Sequence, residues 1–331
     1  MPTSPQAVVA DLTEDALLDR ILPLLAIGGS ERVGPGDDAA VLELGGSAVL
    51  TTDSMVRDID WRDDWSTPED VAVKVVVQNL ADLAAMGAVP RSLLLSLVVD
   101  RHTPVEWVVR FAGQFGQQCR RYAVSASGGD LSSAPAQTRV VSVTAVGTLE
   151  GAPVLRSGAR PGDRVAVTGS LGRSAVGLAL LTEASRDGVE VSGLPAEALA
   201  HHLRPSCPLS QGPIAAAAGA SAMLDISDGL LRDAGRIARA SQVAIALDSA
   251  ALAPDLNWAE RWVSRAVARA AVLGGGEEHS LLACFPPSVE VPSWWRVIGQ
   301  VRSGVGLLVD DRPTPVAGWD HFAGREVHPS P

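Results

Sequence analysis

Apolar and polar positions alternate along the chain in patterns that predict a regular succession of helices and strands. The clearest helix begins after Thr67, which can cap it, and has Pro68 at its first position and acidic side chains in its first turn. Its apolar run continues to about Met86, next to Gly87. Between the helices, short runs rich in valine, leucine and isoleucine predict strands. Helices and strands that alternate in this way are typical of the α/β or α+β class.

The predicted elements fall into two series. The chain has 331 residues, enough for two domains, and a second series of strands and helices begins near Gly151. We therefore predict an N-terminal domain over residues 1–150 and a C-terminal domain over 151–331. Gly45 and Gly46 lie between two predicted strands and indicate a hairpin. Helices are predicted at about 15–25, 67–86, 105–121, 173–184, 215–218, 228–240 and 259–272, and strands at about 39–44, 48–52, 93–99, 124–126, 139–149, 164–168, 222–226, 243–247, 281–285 and 295–301.

Charge and composition exclude several classes of function. The formal net charge is −11 at pH 7, which argues against nucleic acid or an anionic membrane surface as the main partner. No apolar run reaches the roughly 18–20 residues of a membrane span. The first residues show no basic region followed by an apolar stretch, so a cytoplasmic protein without a secretory signal is expected. Cys119, Cys207 and Cys284 have neither zinc spacing nor a disulfide pattern and are expected to be buried thiols.

Five segments each place a carboxylate at the edge of an apolar element, usually beside glycine or a hydroxyl residue. Taken singly, most have an ordinary structural explanation: Asp37 can belong to a turn, Asp53 can cap the turn after a strand, and Asp228 can cap the helix that follows it. The residues alone leave these alternatives open. The five carboxylates are those of Asp37, Asp53, Asp82, Asp130 and Asp228.

Asp82 differs from the other four because it lies inside a run of mostly apolar residues, which is typical of a buried helix. Lys74, Gln78 and Asp82 recur every four residues and therefore share one face of that helix. A salt bridge between Asp82 and Lys74 would have to span about 12 Å of helical rise, which is too far for direct contact. A buried polar face costs free energy unless each of its groups finds a partner.

Carboxylates that converge in one cleft repel one another, and a divalent cation removes that cost. Carboxylate oxygens without histidine or cysteine neighbours favour Mg²⁺, Mn²⁺ or Ca²⁺ over zinc, and Mg²⁺ usually binds one or two carboxylates together with phosphate oxygens of a substrate. Glycines beside the carboxylates let backbone N–H groups approach phosphate. The pattern therefore predicts nucleotide-dependent phosphoryl transfer with more than one Mg²⁺. The sequence contains neither a P-loop nor the protein-kinase motifs.

Nine short segments carry a more specific signal: GDDAAV (36–41), TTD (51–53), QNLADLAAMGA (78–88), GGD (128–130), LRSGA (155–159), PGD (161–163), DISDGL (225–230), GGE (275–277) and GWDHF (318–322). In this order they resemble the thiamine-monophosphate kinase family, which shares its fold with aminoimidazole-ribotide synthetase and selenophosphate synthetase. The resemblance implies an N-terminal α/β domain that forms a homodimer, a C-terminal α/β domain, and an active site between them. It also implies direct transfer of the γ-phosphoryl group of ATP to thiamine monophosphate, without a phosphoenzyme.

The resemblance assigns roles by position. It implies that the Mg²⁺ ligands are Asp37, Asp53, Asp82, Asp130 and Asp228. It implies that the residues at the ATP phosphates, or beside the metals, are Thr51, Thr52, Gly129, Asp130, Arg156 and Ser227. Asp130 and Asp228 would be the catalytic residues. The segment 58–61, Glu277 and Trp319 would face the thiamine end, with Asp60, Glu277 and Trp319 as the binding residues. Trp319 could stack on the heteroaromatic ring or simply be a packing residue.

Two positions depart from the family pattern. The family usually has His-Phe where this chain has Asp60-Trp61, and Gly-Gly-Glu-Asp where this chain has Gly-Gly-Glu-Glu at 275–278. Both changes lie on the side expected to hold the acceptor, not the Mg·ATP. Two alternatives therefore stay open: an enzyme of the same fold that phosphorylates a different small molecule, and a non-catalytic protein that binds Mg·ATP.

Overall fold

A computed structural model describes residues 7–25, 31–33 and 39–319 of the chain, and two large sheets enclose one central helix in it. The helices are α1 (Glu14–Ile21), α2 (Pro68–Ala85), α3 (Val105–Arg121), α4 (Arg173–Asp187), α5 (Ala196–Leu203), α6 (Gln211–Ala218), α7 (Leu230–Ser241), α8 (Ala253–Ala259) and α9 (Arg265–Gly274). The strands are β1 (Glu31–Val33), β2 (Val41–Leu42), β3 (Ser47–Val56), β4 (Val89–Asp100), β5 (Ser125–Ala134), β6 (Arg139–Leu149), β7 (Arg164–Thr168), β8 (Ala222–Ile226), β9 (Ala244–Leu247), β10 (Ser280–Phe285), β11 (Arg296–Arg302), β12 (Gly306–Val309) and β13 (Arg312–Pro313).

The first large sheet is built from four strands of the N-terminal half. Its order is β3-β6-β4-β5; β6 is antiparallel to both β3 and β4, and β5 is parallel to β4. Alternate side chains face helices α2 and α3 and form a core that includes Leu93, Val143 and Phe111. The side chains between them, such as Leu50 and Thr52, point to the opposite face and are exposed. We call this opposite face the open face of the first sheet.

The second large sheet contains seven strands in the order β13-β12-β9-β11-β7-β10-β8. Its pairs are antiparallel except for β9 and β12, which are parallel. Its core lies against α4, α7 and α9, with Val176, Ile237 and Val272 among its members. The two sheets confirm the predicted α/β class with two units, while the exact domain boundary at residue 150 stays a prediction.

Helix α2 is buried on two sides because it lies between the sheets. Val75 and Leu80 belong to the core of the first sheet, whereas Val77 packs in a separate cluster with Phe285 of β10. Thr67 caps the helix as predicted, since its Oγ1 accepts a hydrogen bond from the third residue of α2 at 3.3 Å. An apolar helix with its polar residues on one face is therefore placed where those residues can reach strands of both sheets.

Four predicted elements differ in the structure. The hairpin at Gly45-Gly46 is wrong, because β2 pairs with β1 while β3 pairs with β6. Strands β3 and β5 are longer than predicted: β3 continues past Asp53, and β5 runs through Asp130, because long ladders with β6 and β4 hold them. The helix predicted to begin at residue 259 begins later: α8 ends at Ala259, and α9 starts at Arg265 after its cap, Ser264.

Two predicted features of the whole chain can be compared with the structure. Within the described ranges, none of the helices has the length and apolar character needed to cross a membrane. Cys119, Cys207 and Cys284 are buried, as predicted. Burial raises the pKa of Cys207 and brings that of Cys284 to about 12, so both thiols stay protonated near neutral pH.

Candidate active site

Three acidic side chains meet where α2 faces β3 and β8. We call Asp53, Asp82 and Asp225 the acidic cluster. Burial, followed by the negative charges of Asp225 and Asp53, raises the pKa of Asp82 to about 7. Burial also raises the pKa of Asp53, and the charges of Asp225 and Asp228 act in the same direction. Asp225 is therefore close enough to Asp53 and Asp82 for its charge to disfavour their ionisation.

Hydrogen bonds between β3 and α2 hold two members of the cluster in place. Thr51 Oγ1 donates to Asp82 Oδ2 at 2.7 Å. Asn79 Oδ1 accepts from the backbone N–H of Asp53 at 3.1 Å, while Asn79 Nδ2 donates to the Val75 carbonyl at 2.8 Å. Side chains alternate along a strand, so Thr51 and Asp53 point to the same side of β3. Buried Asn79 thus fixes the edge strand against the helix that carries Asp82.

Asp225 is a site residue that sequence reasoning missed. It lies inside β8, in which all five residues are buried, and it pairs with Leu281 of β10. Its Oδ2 is 3.4 Å from Nδ1 of His279. A carboxylate in an otherwise apolar strand is costly without a partner, and that mismatch is the signal that could have identified Asp225 from the sequence.

The loop between β8 and α7 brings four predicted or neighbouring site positions together. The backbone N–H of Glu277 donates to the Ser227 carbonyl at 2.7 Å, and that of Trp319 donates to the Asp228 carbonyl at 2.9 Å. Gly318 precedes the tryptophan, and a Cβ at that position would lie 2.4 Å from the Asp228 carbonyl oxygen. Glycine is therefore required for the close approach that places Trp319 beside this loop.

The side chain of Asp228 does not cap α7, so the capping alternative is wrong. The N-cap residue is Gly229, and no side chain caps the helix. Asp233 instead accepts hydrogen bonds from the backbone N–H groups of Asp228 at 3.0 Å and Gly229 at 3.1 Å. The Asp228 carboxylate pairs with Arg236 and lies 3.6 Å from Arg232 Nε. This carboxylate is thus held by arginines of α7 near the acidic cluster.

Glu277 provides a carboxylate on the side predicted to hold the acceptor. Its Oε1 is 3.0 Å from Lys74 Nζ, and its Oε2 is 3.3 Å from both His202 Nδ1 and Ser174 Oγ. The Glu277 side chain is 36% exposed, whereas that of Lys74 is 4% exposed. Burial would raise the pKa of Glu277, but Lys74 and then His202 more than offset this effect, so the pKa is lowered. Glu277 is therefore ionised at neutral pH.

Asp60 and Trp61, which depart from the family pattern, have different environments. Asp60 Oδ2 accepts from a backbone N–H at the end of β3 at 2.7 Å, and the Asp60 carbonyl oxygen is 3.5 Å from Lys74 Nζ. Trp61 is 4% exposed and stacks on Trp107 with ring centroids 6.4 Å apart. Trp61 is therefore a core residue, which corrects the expectation that the whole segment 58–61 faces the acceptor. The other member of this pair, Asp60, lies beside Lys74 through its backbone carbonyl.

Comparisons with known proteins identify the family of this chain. Two family models match, described as "AIR synthase related protein, N-terminal domain" over residues 36–149 and "AIR synthase related protein, C-terminal domain" over residues 160–294. A thiamine-monophosphate kinase of Mycobacterium tuberculosis is 42% identical over 322 residues, which covers 94% of this chain and 92% of the relative. The chain belongs to the thiamine-monophosphate kinase family.

Solved structures of the family confirm the fold. The thiamine-monophosphate kinase from Stenotrophomonas maltophilia K279a superposes with a TM-score of 0.77 at 28% identity, covering 92% of this chain and 98% of that one. AaThiL complexed with AMPPCP and TMP superposes with a TM-score of 0.75 at 30% identity, covering 96% of this chain and 100% of that one. The predicted family resemblance and two-unit architecture are therefore confirmed.

Several residues that the family resemblance assigns to the nucleotide or its metals do not lie in the acidic cluster. Thr52 points to the open face, where its Oγ1 donates to a backbone carbonyl of β6 at 3.0 Å. Gly129 and Asp130 lie on β5 at the other edge of the sheet, three strand spacings or roughly 14 Å from β3. Arg156 is exposed between β6 and β7. Asp37 lies outside the described residues.

Asp130 lies within a strand, which corrects the prediction that it follows one. A Cβ on Gly129 would lie 1.8 Å from the Leu95 carbonyl oxygen, so this glycine permits the close approach of β4 and β5 and does not form a turn. The next residue, Leu131, packs toward the core. Because side chains alternate, Asp130 points to the open face, the same face as Thr52.

The chemistry of the acidic cluster fits Mg²⁺, the metal implied for thiamine-monophosphate kinases. Among residues 7–25, 31–33 and 39–319, no group of three or more histidine, cysteine, aspartate or glutamate side chains forms a ready-made metal site. Mg²⁺ does not require one, because it keeps several waters and usually takes one or two carboxylates with substrate phosphates. Beyond the effect of burial, the charge of Asp225 raises the pKa values of Asp53 and Asp82, and a divalent cation would stabilise these two groups as anions.

Glu278, the second departure from the family pattern, is not exposed toward an acceptor but buried against α4. Its fully buried side chain packs against the start of α4. Oε1 accepts from the Ser174 backbone N–H at 2.6 Å, and Oε2 accepts from Ser170 Oγ at 3.0 Å. His201 Nε2 lies 3.4 Å from its Oε2. Burial raises the pKa of Glu278 to about 8 and lowers that of His201 to about 4, so both groups are mainly neutral at pH 7.

We expect the variant Glu278→Gln to make stability less dependent on pH. The pKa of Glu278 in the folded protein lies above its value of about 4.3 in an unfolded chain. Protonation therefore stabilises the fold, and this contribution is lost as the pH rises through the pKa of about 8. Between about pH 6 and about pH 9, the Tm of the wild type should fall several degrees more than that of the variant. Calorimetry showing equal slopes in the two proteins would contradict the assignment.

Proposed function

We propose that this chain catalyses the ATP-dependent phosphorylation of thiamine monophosphate to thiamine diphosphate, the last step of thiamine diphosphate biosynthesis. The observation that carries the proposal is the acidic cluster at the junction of the two halves, where burial and neighbouring carboxylates raise the pKa values of Asp53 and Asp82. Relatives named as thiamine-monophosphate kinases, and the AaThiL structure complexed with AMPPCP and TMP, support the same activity.

On the nucleotide side, the acidic cluster would hold Mg²⁺ against the phosphate tail of ATP. When bound, Mg²⁺ supplies positive charge that offsets the charge of the phosphates during transfer. A phosphate oxygen of thiamine monophosphate then forms a bond to the γ-phosphorus, while the bond to the bridging oxygen breaks and ADP leaves. The other predicted positions remain part of the proposal: Asp37, Asp130 and Asp228 as metal ligands, Asp130 and Asp228 as catalytic residues, and Thr51, Thr52, Gly129, Arg156 and Ser227 at the phosphates.

On the acceptor side, the ionised and partly exposed Glu277 lies beside the loop that positions Trp319. A carboxylate and an indole together suit a cationic heteroaromatic ring such as that of thiamine. Neither departure from the family pattern removes these groups, because the Asp60 carboxylate binds its own loop and Glu278 is buried against α4. These contacts favour thiamine monophosphate over a different acceptor.

We also propose that two copies of the chain associate through the open face of the first sheet. Three apolar side chains are exposed on this face: Leu50 at 65%, Val56 at 38% and Leu94 at 37%. Thr52 and Asp130 share this face but lie on opposite edges of the sheet, so they can meet only if Asp130 comes from a second copy. A homodimer would therefore complete the nucleotide site. A cytoplasmic location, without nucleic-acid or membrane partners, stays a prediction.

A direct assay tests the proposed function. Incubation with ATP, Mg²⁺ and thiamine monophosphate is expected to yield thiamine diphosphate and ADP in equal amounts, as measured by chromatography. Excess EDTA should stop the reaction, and added Mg²⁺ should restore it. Phosphorylation of only another compound in an acceptor screen would support the first alternative, an enzyme with a different substrate. Binding of Mg·ATP without turnover of any acceptor would support the second, a non-catalytic protein.

A further inference from the structure

One buried cation connects the two sides of the proposed acceptor site. Lys74, the only lysine in the chain, lies on α2 and is 3% exposed. Its Nζ donates to Glu277 Oε1 at 3.0 Å and to the Asp60 carbonyl at 3.5 Å. Asp60 follows β3 in the N-terminal half, whereas Glu277 precedes β10 in the C-terminal half. A single ammonium group thus contacts a predicted acceptor residue from each half.

We propose that Lys74 is a positioning residue for the acceptor: it holds the Glu277 carboxylate and the Asp60 backbone at a fixed separation, so that Glu277 meets the acceptor in one orientation. This inference rests on the proposed function. Lys74 acts through Glu277, because its own side chain is buried while the glutamate remains partly exposed. The residue that binds the acceptor and the residue that orients it are therefore distinct.

Among the groups described around Glu277, Lys74 is the one that carries a positive charge at pH 7. On α5, His202 Nδ1 is 3.3 Å from Glu277 Oε2, and on α4, Ser174 Oγ is at the same distance. Burial, followed by the charge of Lys74, lowers the pKa of His202, so this imidazole is neutral at pH 7. Glu278, on the same segment, is buried and mainly protonated. The ammonium of Lys74 is then the main cause of the lowered pKa of Glu277, and the hydrogen bond from His202 adds to it.

A second ion pair between α2 and the C-terminal half shows what a purely structural role for Lys74 would look like. Asp70, at the start of α2, pairs with Arg204, which follows α5. The Arg204 side chain is 50% exposed, and its partner Asp70 is separate from Glu277 and Asp60. This pair joins the same two parts of the molecule without contacting the proposed acceptor site. Arg204→Met is therefore a matched control for Lys74→Met.

Steady-state kinetics of these two variants test the inference. In Lys74→Met, the KM for thiamine monophosphate should rise about tenfold or more, because Glu277 loses its charged partner, while the KM for ATP should change less than about twofold. In Arg204→Met, both KM values should stay within about twofold of the wild type, although the Tm should fall. Lys74→Arg keeps the charge and should recover part of the lost affinity.

The pH dependence of the KM for thiamine monophosphate shows whether Lys74→Met acts by removing a charge beside Glu277 or only by loosening the packing. Without Lys74, burial should raise the pKa of Glu277, so the glutamate should take up a proton as the pH falls. The ratio of the variant KM to the wild-type KM for thiamine monophosphate should therefore increase from about pH 8 to about pH 6. Using the ratio cancels the titration of the substrate phosphate itself. A constant ratio would contradict the proposed role.

A double-mutant cycle keeps the test decisive if Lys74→Met is less stable. If Lys74 acts through Glu277, then Lys74→Met combined with Glu277→Gln should raise the KM no more than Glu277→Gln alone. Additive effects, or an unchanged KM in Lys74→Met when the wild type turns over, would overturn the role of Lys74 and leave the proposed function intact. A wild type that neither binds nor phosphorylates thiamine monophosphate would overturn the proposed function, and this inference with it.

Discussion

Asp82→Asn is expected to reduce phosphoryl transfer about a thousandfold or more while the protein stays folded. Asparagine keeps an oxygen that can accept the hydrogen bond from Thr51, now 2.7 Å long, but it lacks the charge that a divalent cation requires. Metal ions stabilise charge in a phosphoryl-transfer transition state by several kcal/mol, which corresponds to about three orders of magnitude in rate. The kcat/KM for ATP, measured at saturating thiamine monophosphate and Mg²⁺, gives this loss directly.

The same substitution should not lower the stability of the protein without metal. The pKa of Asp82 in the fold, about 7, lies above its unfolded value of about 3.9, so ionised Asp82 destabilises the fold at and above neutral pH. In EDTA at about pH 8, the Tm of Asp82→Asn should therefore equal or exceed that of the wild type.

Asp163→Asn is a suitable control, because Asp163 is a buried carboxylate outside the cluster that accepts from the Arg160 backbone and from Ser221. It should lower the Tm and keep turnover within about threefold of the wild type. Full activity in Asp82→Asn would show that the acidic cluster does not hold the metal.

Two inactive variants, Asp82→Asn and Asp130→Asn, are expected to restore activity when their subunits exchange. In the proposed dimer, each site takes Asp82 from one copy and Asp130 from the other. An equal mixture with random exchange contains about half mixed dimers, and each of these has one intact site of two, so about a quarter of wild-type activity should return. Activity after co-refolding or slow exchange, compared with each variant alone, measures this recovery.

A second mixture provides the control for the shared site. Asp53→Asn and Asp82→Asn alter the same acidic cluster within one copy, so every site in their mixed dimers lacks one cluster carboxylate and no activity should return. Recovery in this mixture, or its absence in the first mixture despite mixed dimers detected by mass spectrometry, would contradict the shared site. A monomer in sedimentation equilibrium would contradict the dimer itself.

Local signals in the sequence are sufficient to predict α2 but not β5. The Thr67 cap, Pro68 and the apolar run that follows all act within a few turns, so the helix can be placed from the sequence. Gly128 and Gly129 are typical of a turn, and the prediction ends the strand before them. The structure shows a different reason for Gly129, the close approach of the Leu95 carbonyl on a neighbouring strand. Contacts of this kind depend on strand pairing, which residue spacing does not encode.

The candidate site shows the same limit. Asp53 and Asp82 can be selected as candidates from recognisable patterns, a carboxylate after two threonines and a carboxylate in an apolar helix, but their proximity depends on the packing of β3 against α2. Asp225 is missed because the neighbouring Asp228 carries the family motif, although a carboxylate in an otherwise apolar strand marks it. The contact between Lys74 and Glu277 joins residues that are 203 positions apart, and only the packing of the two halves brings them together. The sequence therefore predicts the kind of chemistry at the site, whereas the complete set of residues that form it depends on the fold.

The central claim is that the acidic cluster holds the metal that binds the ATP phosphates, and anomalous scattering tests it most directly. Crystals grown with Mn²⁺ and the non-hydrolysable analogue AMPPCP should show a manganese peak within about 2.0–2.4 Å of carboxylate oxygens from Asp53, Asp82 or Asp225, and of a phosphate oxygen. The same experiment on Asp82→Asn should show a weaker peak or none. Manganese bound with the nucleotide elsewhere, and an acidic cluster without metal, would contradict the account.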